Sequence, residues 1–340
     1  MILVTGGTGL VGSHLLYRLV NANASVRAIY RRAHKLEAVK RVFSYYSKDV
    51  EVLYNKIDWV EADINDIPAL TKAFKDVDYV YHCAAFVSFE PDKYRQLRQI
   101  NIEGTANVVN FCISNKVKKL CFVSSIAAIG HELDSNKLIT ENTIWNPEDD
   151  HSVYAITKYG AEIEVWRGTQ EGVNAVIVNP GIILGPGFWR SGGSGSLIHK
   201  IYNGFPYYTT GSTAYVDVDD VVTLMIQLMN SDVHNESFIV ISENLTFKDF
   251  QTTVAKTLGV KPPQKEASKL LLAIAWRVDW LNHILRRKRR RLSKQMAKSS
   301  LSISKYDNSK IKNTLKFEFM PIENSIKKTC DYFSKDLEKK

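Results

Sequence analysis

The sequence predicts an α/β protein whose core is a doubly wound parallel sheet. Short apolar segments alternate with longer amphipathic ones through the first half of the chain, as in strands connected by crossover helices. The first segment, 2–4, is continuously apolar, which is typical of a strand buried on both faces. The 340 residues are enough for one large domain, or for a large domain with a smaller lobe.

A glycine-rich turn connects the first strand to the first helix. Gly6 can adopt the backbone angles of the turn, Gly9 lets a diphosphate approach the backbone, and Gly12 lets the helix pack closely on the strand. Free N–H groups and the dipole at the helix N-terminus attract phosphate. The turn therefore predicts a Rossmann-type dinucleotide site, with an ordinary glycine turn as the alternative. The predicted contacts are Thr5, Gly6, Gly9, Leu10, Val11 and Gly12.

The second predicted strand, 25–30, ends at two arginines. In folds that prefer NAD, an acidic residue near this point binds the ribose 2′-hydroxyl of adenosine. Here Arg31 and Arg32 come first and no acidic residue occurs before Glu37. Guanidinium groups are forked, charged donors that suit a 2′-phosphate. We therefore predict that Arg31 contacts the cofactor and that NADP(H) is preferred, with NAD(H) as the alternative cofactor and a solvated surface pair as the alternative role.

Four further strands are predicted, at 58–63, 78–85, 119–125 and 174–181. Ligands bind at the carboxyl ends of the strands in this architecture. The predicted cofactor contacts at these ends are Asp63, Ile64, Ala84, Ala85, Ser124, Pro180 and Ile183. For Asp63 an equally weighted alternative is the N-cap of a helix that begins near Ile67.

The chain is predicted to divide into two parts. Residues 1–180, completed by about 211–240, form the nucleotide-binding domain; 181–210 and 241–340 form a small substrate-binding lobe with a basic tail. The Gly- and Ser-rich stretch 185–195 is predicted to be a loop on the substrate side. Helices are predicted from Leu10, over part of 33–56, from about Ile67, over 94–114, around Tyr154 and from Val216 to about Met229.

Charge and cysteine usage exclude some classes of protein. Residues 261–340 carry 21 Lys and Arg against 8 Asp and Glu, which leaves the other 260 residues at −4 although the chain totals +9. Because the body is mildly acidic, we predict no nucleic-acid partner. The four cysteines lack metal-site spacing and mostly lie in apolar runs, which indicates reduced thiols, no metal and a cytoplasmic location. Because a strand is predicted from residue 2, we expect no signal peptide.

Tyr154 and Lys158 are four residues apart in a helical segment, so both side chains lie on one face, about one turn apart. Ser125 ends a predicted strand 29 residues before Tyr154. A free phenol titrates near ~10, which is high for proton exchange at neutral pH, and a cationic neighbour favours the phenolate. An ordinary helix face is the alternative for such a pair in isolation.

Together these motifs resemble the extended short-chain dehydrogenase/reductase superfamily, which is NAD-dependent epimerase/dehydratase-like, over nearly the whole chain. Within it, 26–31 is similar to the dihydroflavonol 4-reductase branch, while 85–89 and the tail are similar to the 3β-hydroxysteroid dehydrogenase branch. The matching segments are 5–12, Asp63, 82–85, 101–105, 123–125, Tyr154 with Lys158, 179–181 and 215–220.

The resemblance implies an enzyme that transfers a hydride between nicotinamide and an alcohol or ketone. Tyr154 would be the acid/base, Lys158 would favour its phenolate and bind the nicotinamide ribose, and Ser125 would hold the substrate oxygen. Asn101 is carried over more weakly, its alternative being to tie neighbouring backbone together. A homodimer through helices 94–114 and 151–167 is also implied.

The substrate is expected to be an uncharged, apolar small molecule, flavonol-, sterol- or lipid-like. Nucleotide-sugar enzymes of the superfamily usually carry an arginine that would fall in 209–215, where this chain has no basic residue. Nearby aromatic residues favour such a substrate, although several of them are expected to belong to the core: Phe86, Phe89, Phe188, Trp189, Tyr207, Tyr208 and Tyr215. A nucleotide-sugar epimerase or dehydratase with tightly bound NAD(P) is the alternative. A non-enzymatic sensor is disfavoured because the Tyr-x-x-x-Lys pair is intact.

The tail contains a strongly apolar stretch, 270–285, followed directly by the basic run 286–291. Arg277 and Asp279 interrupt the apolar stretch, so it is too short to span a bilayer. Two roles remain open and are compatible: peripheral contact of 270–291 with the inner face of a membrane, or a lobe helix that covers the substrate pocket.

Overall fold

The computed structural model describes residues 1–132, 134, 137–190, 193–286, 290 and 292–338. Most of the basic run, 287–289 and 291, therefore lies outside the described residues. The strands are β1 (Ile2–Thr5), β2 (Val26–Tyr30), β3 (Ile57–Glu61), β4 (Tyr79–His82), β5 (Lys119–Val123), β6 (Ala175–Pro180), β7 (Ile182–Leu184), β8 (Tyr207–Tyr208), β9 (Ser212–Asp217), β10 (Glu236–Val240), β11 (Glu243–Thr246) and β12 (Lys265–Glu266).

The α-helices, connected in part by short 3₁₀ turns, surround these strands. They are α1 (Leu10–Asn21), α2 (Leu36–Ser44), α3 (Val50–Tyr54), α4 (Ile67–Ala73), α5 (Tyr94–Leu97), α6 (Gly104–Ser114), α7 (Val153–Gln170), α8 (Gly193–Tyr202), α9 (Val218–Asn230), α10 (Phe247–Thr257), α11 (Lys269–Arg286), α12 (Lys294–Ser299), α13 (Ser309–Leu315) and α14 (Ile322–Glu338).

The predicted doubly wound parallel sheet is confirmed. Seven strands pair in the order β10-β6-β5-β4-β1-β2-β3, and every pair in this sheet is parallel. Successive residues of β1 enter opposite layers: Leu3 packs with α4, α6 and α7, and Val4 packs with α1 and α9. The strand order reverses between β1 and β4, which creates the crevice where ligands bind in such sheets.

Two predictions about the second half are wrong. Val216 was expected to start a helix, but it lies in β9, and α9 begins at Val218 because the Asp217 side chain accepts a hydrogen bond from Asp219 N. The stretch 185–195 was expected to be a loop throughout, but α8 begins at Gly193.

The predicted helix 94–114 is helical along its length, with a π-helical segment over Arg98–Glu103.

Charged groups fasten the last helix to the sheet. Asp217 is fully buried, and Lys328 of α14 donates to it over 2.6 Å and to Asp219 over 3.0 Å. The Ser325 hydroxyl also donates to Asp217. Because a buried carboxylate is costly without a partner, this pairing makes the position of α14 part of the main fold.

Replacing Lys328 by Met should lower the free energy of unfolding by about 3 kcal/mol, since Asp217 keeps its charge and loses its cation. Denaturant titration followed by circular dichroism measures this. Lys327→Met is the matched control, because Lys327 is exposed on the same helix. Equal stability of the two variants would show that the ion pair does not hold α14.

Candidate active site

The glycine turn brings β1, α1 and the end of β4 into close contact. Gly6 has φ +68°, and a Cβ there would lie 2.5 Å from Ala84 N. A Cβ on Gly12 would overlap the Gly6 carbonyl oxygen. At Gly9, by contrast, a Cβ would meet only Gly6 O, at 3.4 Å. The N-terminus of α1 has no side-chain cap, so its N–H groups and the open space before Gly9 fit a diphosphate.

Thr5 lies inside the protein rather than on the surface of the turn. Its hydroxyl is 2.6 Å from His82 Nδ1 and accepts a hydrogen bond from Ala84 N. His82 Nε2 is in turn 2.9 Å from the Thr105 hydroxyl. Burial lowers the pKa of His82 to about 3, so the ring stays neutral. This buried chain fixes the end of β4 against β1.

Arg31 and Asp63 meet at the ends of β2 and β3. Arg31 Nη1 lies 3.3 Å from Asp63 Oδ2, and both side chains are partly exposed. The alternative role of Asp63 as the cap of α4 is wrong, because Asp66 caps that helix by accepting from Ala69 N. Ile64 is buried and packs against Gly104 of α6.

The other predicted cofactor contacts surround the same crevice. Ala84 lies beside Gly6, and Ala85 follows it after β4. Leu10, Val11 and Ile183 are partly buried and pack against one hydrophobic cluster. Pro180 is buried at the end of β6, and Ser124 is buried directly after β5, beside Glu162.

Ser125 and Tyr154 are brought together at the carboxyl end of the sheet. Helix α7 begins at Val153 because the Ser152 hydroxyl accepts from Ala155 N, which places Tyr154 in the first turn. Burial raises the pKa of Tyr154 to about 12, while a hydrogen bond with Ser125 lowers it. The Phe89 ring contacts the Tyr154 ring edge-on, with centroids 5.4 Å apart. Tyr154 is therefore protonated at neutral pH in this structure.

Lys158 lies one turn further along α7 and is only 1% exposed. Its Nζ donates to Val123 O over 2.8 Å and lies 4.5 Å from the centre of the Phe122 ring. Burial lowers the pKa of Lys158 to about 8, and Glu162 and Cys83 act in the opposite direction. The ammonium group thus sits under the end of β5, beside the crevice.

Two further polar residues belong to this cluster, and the sequence analysis gave neither of them a role. Glu162 is buried on α7, one turn after Lys158, and its carboxylate accepts from Asn179 Nδ2. Burial raises the pKa of Glu162 to about 7, against the neighbouring Ser124, Asn179 and Lys158, which lower it. The signal was present in the sequence, since Tyr154, Lys158 and Glu162 share one helical face at four-residue spacing.

Asn101 has the alternative role that was predicted for it. Its Oδ1 accepts from Phe86 N over 2.7 Å, and its Nδ2 donates to Phe86 O over 3.0 Å and to the Thr157 hydroxyl over 3.1 Å. It therefore ties the segment after β4 to α7.

Two of these aromatic residues belong to the core, as was expected for several of the set. Trp189 donates from Nε1 to Asp336 and packs edge-on against Phe333. Tyr215 is fully buried and stacks on Phe250 with centroids 4.5 Å apart. Phe89, another member of the set, contacts the Tyr154 ring.

The residues that the structure describes contain no group of three or more His, Cys, Asp or Glu side chains placed to hold a metal ion. Within the same ranges, no helix is both long enough and apolar enough to cross a membrane.

Comparison with known proteins agrees with this geometry. The sterol demethylase protein B of Methylococcus capsulatus is 27% identical over 77% of this chain and 76% of its own length. A putative dihydroflavonol 4-reductase of Synechocystis is 26% identical over 80% of this chain and 77% of its own. The solved structure of a UDP-glucose 4-epimerase from Thermotoga maritima, with UDP-glucose, superposes with a TM-score of 0.75 at 22% identity over 99% of both chains.

The family model of the NAD dependent epimerase/dehydratase family matches residues 2–241, which include the glycine turn, the Ser125 strand end and the Tyr154 helix. The fold and the relatives are those of nicotinamide-dependent enzymes. The chain therefore belongs to the NAD-dependent epimerase/dehydratase family, within the extended short-chain dehydrogenase/reductase superfamily, and is an NAD(P)-dependent enzyme.

Proposed function

We propose that the chain is an NADP-dependent oxidoreductase that interconverts an alcohol and a ketone, with Tyr154 as the proton donor and acceptor. The observation that carries this proposal is the meeting of Ser125 and Tyr154 at the carboxyl end of the sheet, the same edge at which the uncapped N-terminus of α1 follows β1. Relatives whose names denote a reductase and a sterol-processing protein support it.

In the proposed mechanism each residue has one task. The N–H groups of α1 bind the diphosphate, and the nicotinamide, when bound, supplies or accepts the hydride. The Ser125 hydroxyl holds the substrate oxygen beside Tyr154, which donates the proton during reduction. A pKa near 12 keeps Tyr154 protonated at neutral pH, and Lys158 lowers the cost of forming the phenolate by its charge.

The cofactor preference is assigned to Arg31. Its guanidinium is 44% exposed and paired with Asp63, so a 2′-phosphate would exchange one anionic partner for another with more acceptor oxygens. NAD(H) lacks this phosphate and would leave the existing pair intact. We therefore propose NADP(H) as the preferred cofactor.

An uncharged, apolar substrate is proposed. No basic residue occurs in 209–215, and the Phe89 ring over Tyr154 offers an apolar surface at the reacting position. The alternative, a nucleotide-sugar epimerase or dehydratase, shares the fold but would need a cation for the substrate diphosphate. A homodimer through α5, α6 and α7, in the cytoplasm, completes the proposal; Ile156 and Ile163 are exposed on α7, seven residues apart.

Helix α11 is proposed to bind an anionic lipid surface, because its apolar face points away from the protein. Asp279 faces inward, where it accepts from Leu292 N, and Leu272 packs against Ala297. In a surface helix of a globular protein the apolar face usually packs against the core. In α11 the apolar face is exposed. A second copy of the chain would bring an equally basic tail, of charge +13 over 261–340, so an anionic membrane fits this face better. The exposed apolar residues are Leu270, Leu271, Ile274, Val278, Trp280, Leu281, Ile284 and Leu285.

Replacing Tyr154 by Phe should lower turnover of ketones by at least ~10², the usual contribution of a positioned acid or base. The affinity for NADPH should stay unchanged, because the ring and its packing are kept. The rate of NADPH oxidation with a panel of apolar ketones measures turnover. Tyr159, in the same helix as Tyr154, stacks on Trp145. Tyr159→Phe keeps this stack and should behave as the wild type. Wild-type turnover in Tyr154→Phe would refute the assignment.

Titrations with NADPH and with NADH, each followed by the fluorescence of the cofactor, should show about tenfold tighter binding of NADPH, a difference of about 1.4 kcal/mol in binding free energy. Arg31→Ala should remove most of this difference, since the 2′-phosphate loses its forked donor. Arg41→Ala, an exposed arginine on α2, serves as the control. Equal affinities for the two cofactors in the wild type would mean that Arg31 is a surface charge only.

The protein should sediment with vesicles that contain anionic lipid at low salt and less so at high salt, because screening weakens the attraction. Ile274→Asp combined with Leu281→Asp should abolish sedimentation without unfolding, since both residues are exposed. Val52→Asp, which is 63% exposed on α3, is the control. No sedimentation of the wild type with anionic vesicles would exclude this surface role.

A further inference from the structure

The mechanism above uses Tyr154 and Lys158 and leaves the third member of their helical face without a task. Glu162 is 8% exposed. Burying a carboxylate costs free energy unless it is paired and hydrogen-bonded. The contacts of Glu162 must therefore offset this cost, and they are of two kinds.

The first set of contacts is mechanical. Asn179, on β6, donates from Nδ2 to the Glu162 carboxylate and, over 3.1 Å, to the carbonyl oxygen of Ser125. One amide group thus joins α7 to Ser125, two residues after the end of β5. Since Tyr154 is on the same helix as Glu162, the bridge sets the distance between the Ser125 backbone and the helix that carries Tyr154.

The second contact is electrostatic. Glu162 raises the pKa of Lys158 and Lys158 lowers that of Glu162, while burial moves each in the opposite direction. Each group therefore helps the other to stay charged. The other charges or dipoles acting on the pair are Cys83, Ser124 and Asn179.

The cluster also has unused hydrogen-bonding capacity. Asn179 Oδ1 is buried and without a hydrogen-bond partner. Buried polar atoms normally have partners, so its position near the end of β6 points to a group that is added when the site is filled.

We propose that Glu162 is a positioning residue of the acid/base site: it balances the charge of Lys158 beneath the crevice and, through Asn179, fixes Ser125 relative to Tyr154. This inference rests on the proposed oxidoreductase function. It divides the task of Glu162 in two, because the charge acts on Lys158 and the length of the side chain acts on Ser125.

Two substitutions separate these tasks. Glu162→Gln keeps the acceptor for Asn179 and removes the charge, so the pKa of Lys158 should fall. The alkaline limb of kcat/KM for ketone reduction should then move to lower pH by about one unit, with little change in KM. Glu162→Asp keeps the charge and shortens the side chain, so kcat should fall while the alkaline limb stays in place.

Glu164→Gln is the matched control, since Glu164 pairs with Arg167 at the protein surface two residues further along α7. It should reproduce the wild-type pH profile. Superimposable profiles for wild type and Glu162→Gln, or a shift in Glu162→Asp and none in Glu162→Gln, would overturn the proposal. If Glu162→Gln does not fold, a wild-type alkaline limb in Glu162→Asp supports the proposal and a displaced limb contradicts it.

A second measurement needs no turnover. NADPH binding is followed by fluorescence across the same pH range. Its dissociation constant should increase as Lys158 loses its charge, and the pH at which this change is half complete should be lower in Glu162→Gln than in the wild type. If no ketone is reduced by the wild type, the proposed function fails, and this titration still decides whether Glu162 controls Lys158. Identical midpoints in the two proteins would count against the inference alone.

Discussion

The cofactor crevice depends on the absence of space between Gly12 and the carbonyl oxygen of Gly6. Because only a hydrogen atom fits there, α1 must cross β1 at one distance and in one direction. That direction aims the N–H groups of α1 at the crevice between β1 and β4, where the strand order reverses. The neutral His82, held between two threonine hydroxyls, keeps β4 in register with this turn. The cofactor crevice is thus a result of backbone packing before any side chain takes part.

The second half of the site depends on burying polar groups in pairs. Lys158 and Glu162 are both withdrawn from water, and each is stabilised by a specific partner: the Val123 carbonyl oxygen for the ammonium and the Asn179 amide for the carboxylate. These partners come from β5 and β6, so the charged groups of α7 also register the helix against the sheet. Side chains that tune protonation and side chains that hold the fold are here the same ones.

The sequence predicted the first half of the fold well because its signals are local. Apolar runs identify buried strands, and glycine spacing identifies the turn. The later strands were not predicted because they are short and pair with strands that are distant in the sequence, as Ile182 pairs with Tyr215. Which of the aromatic residues belong to the core could not be predicted, since Tyr215 stacks on Phe250, which lies far along the chain. Glu162 was missed because the helical spacing of a charged residue does not show whether that face of the helix is buried.

The pairing of Lys328 with Asp217 and Asp219 connects α14 to the start of α9. Asp219 also accepts a hydrogen bond from Tyr46, whose hydroxyl lies 2.6 Å from His14 of α1. The surroundings of α1 are therefore complete only when α14 has packed in place. A chain cut before Lys328 would leave Asp217 buried without its cation.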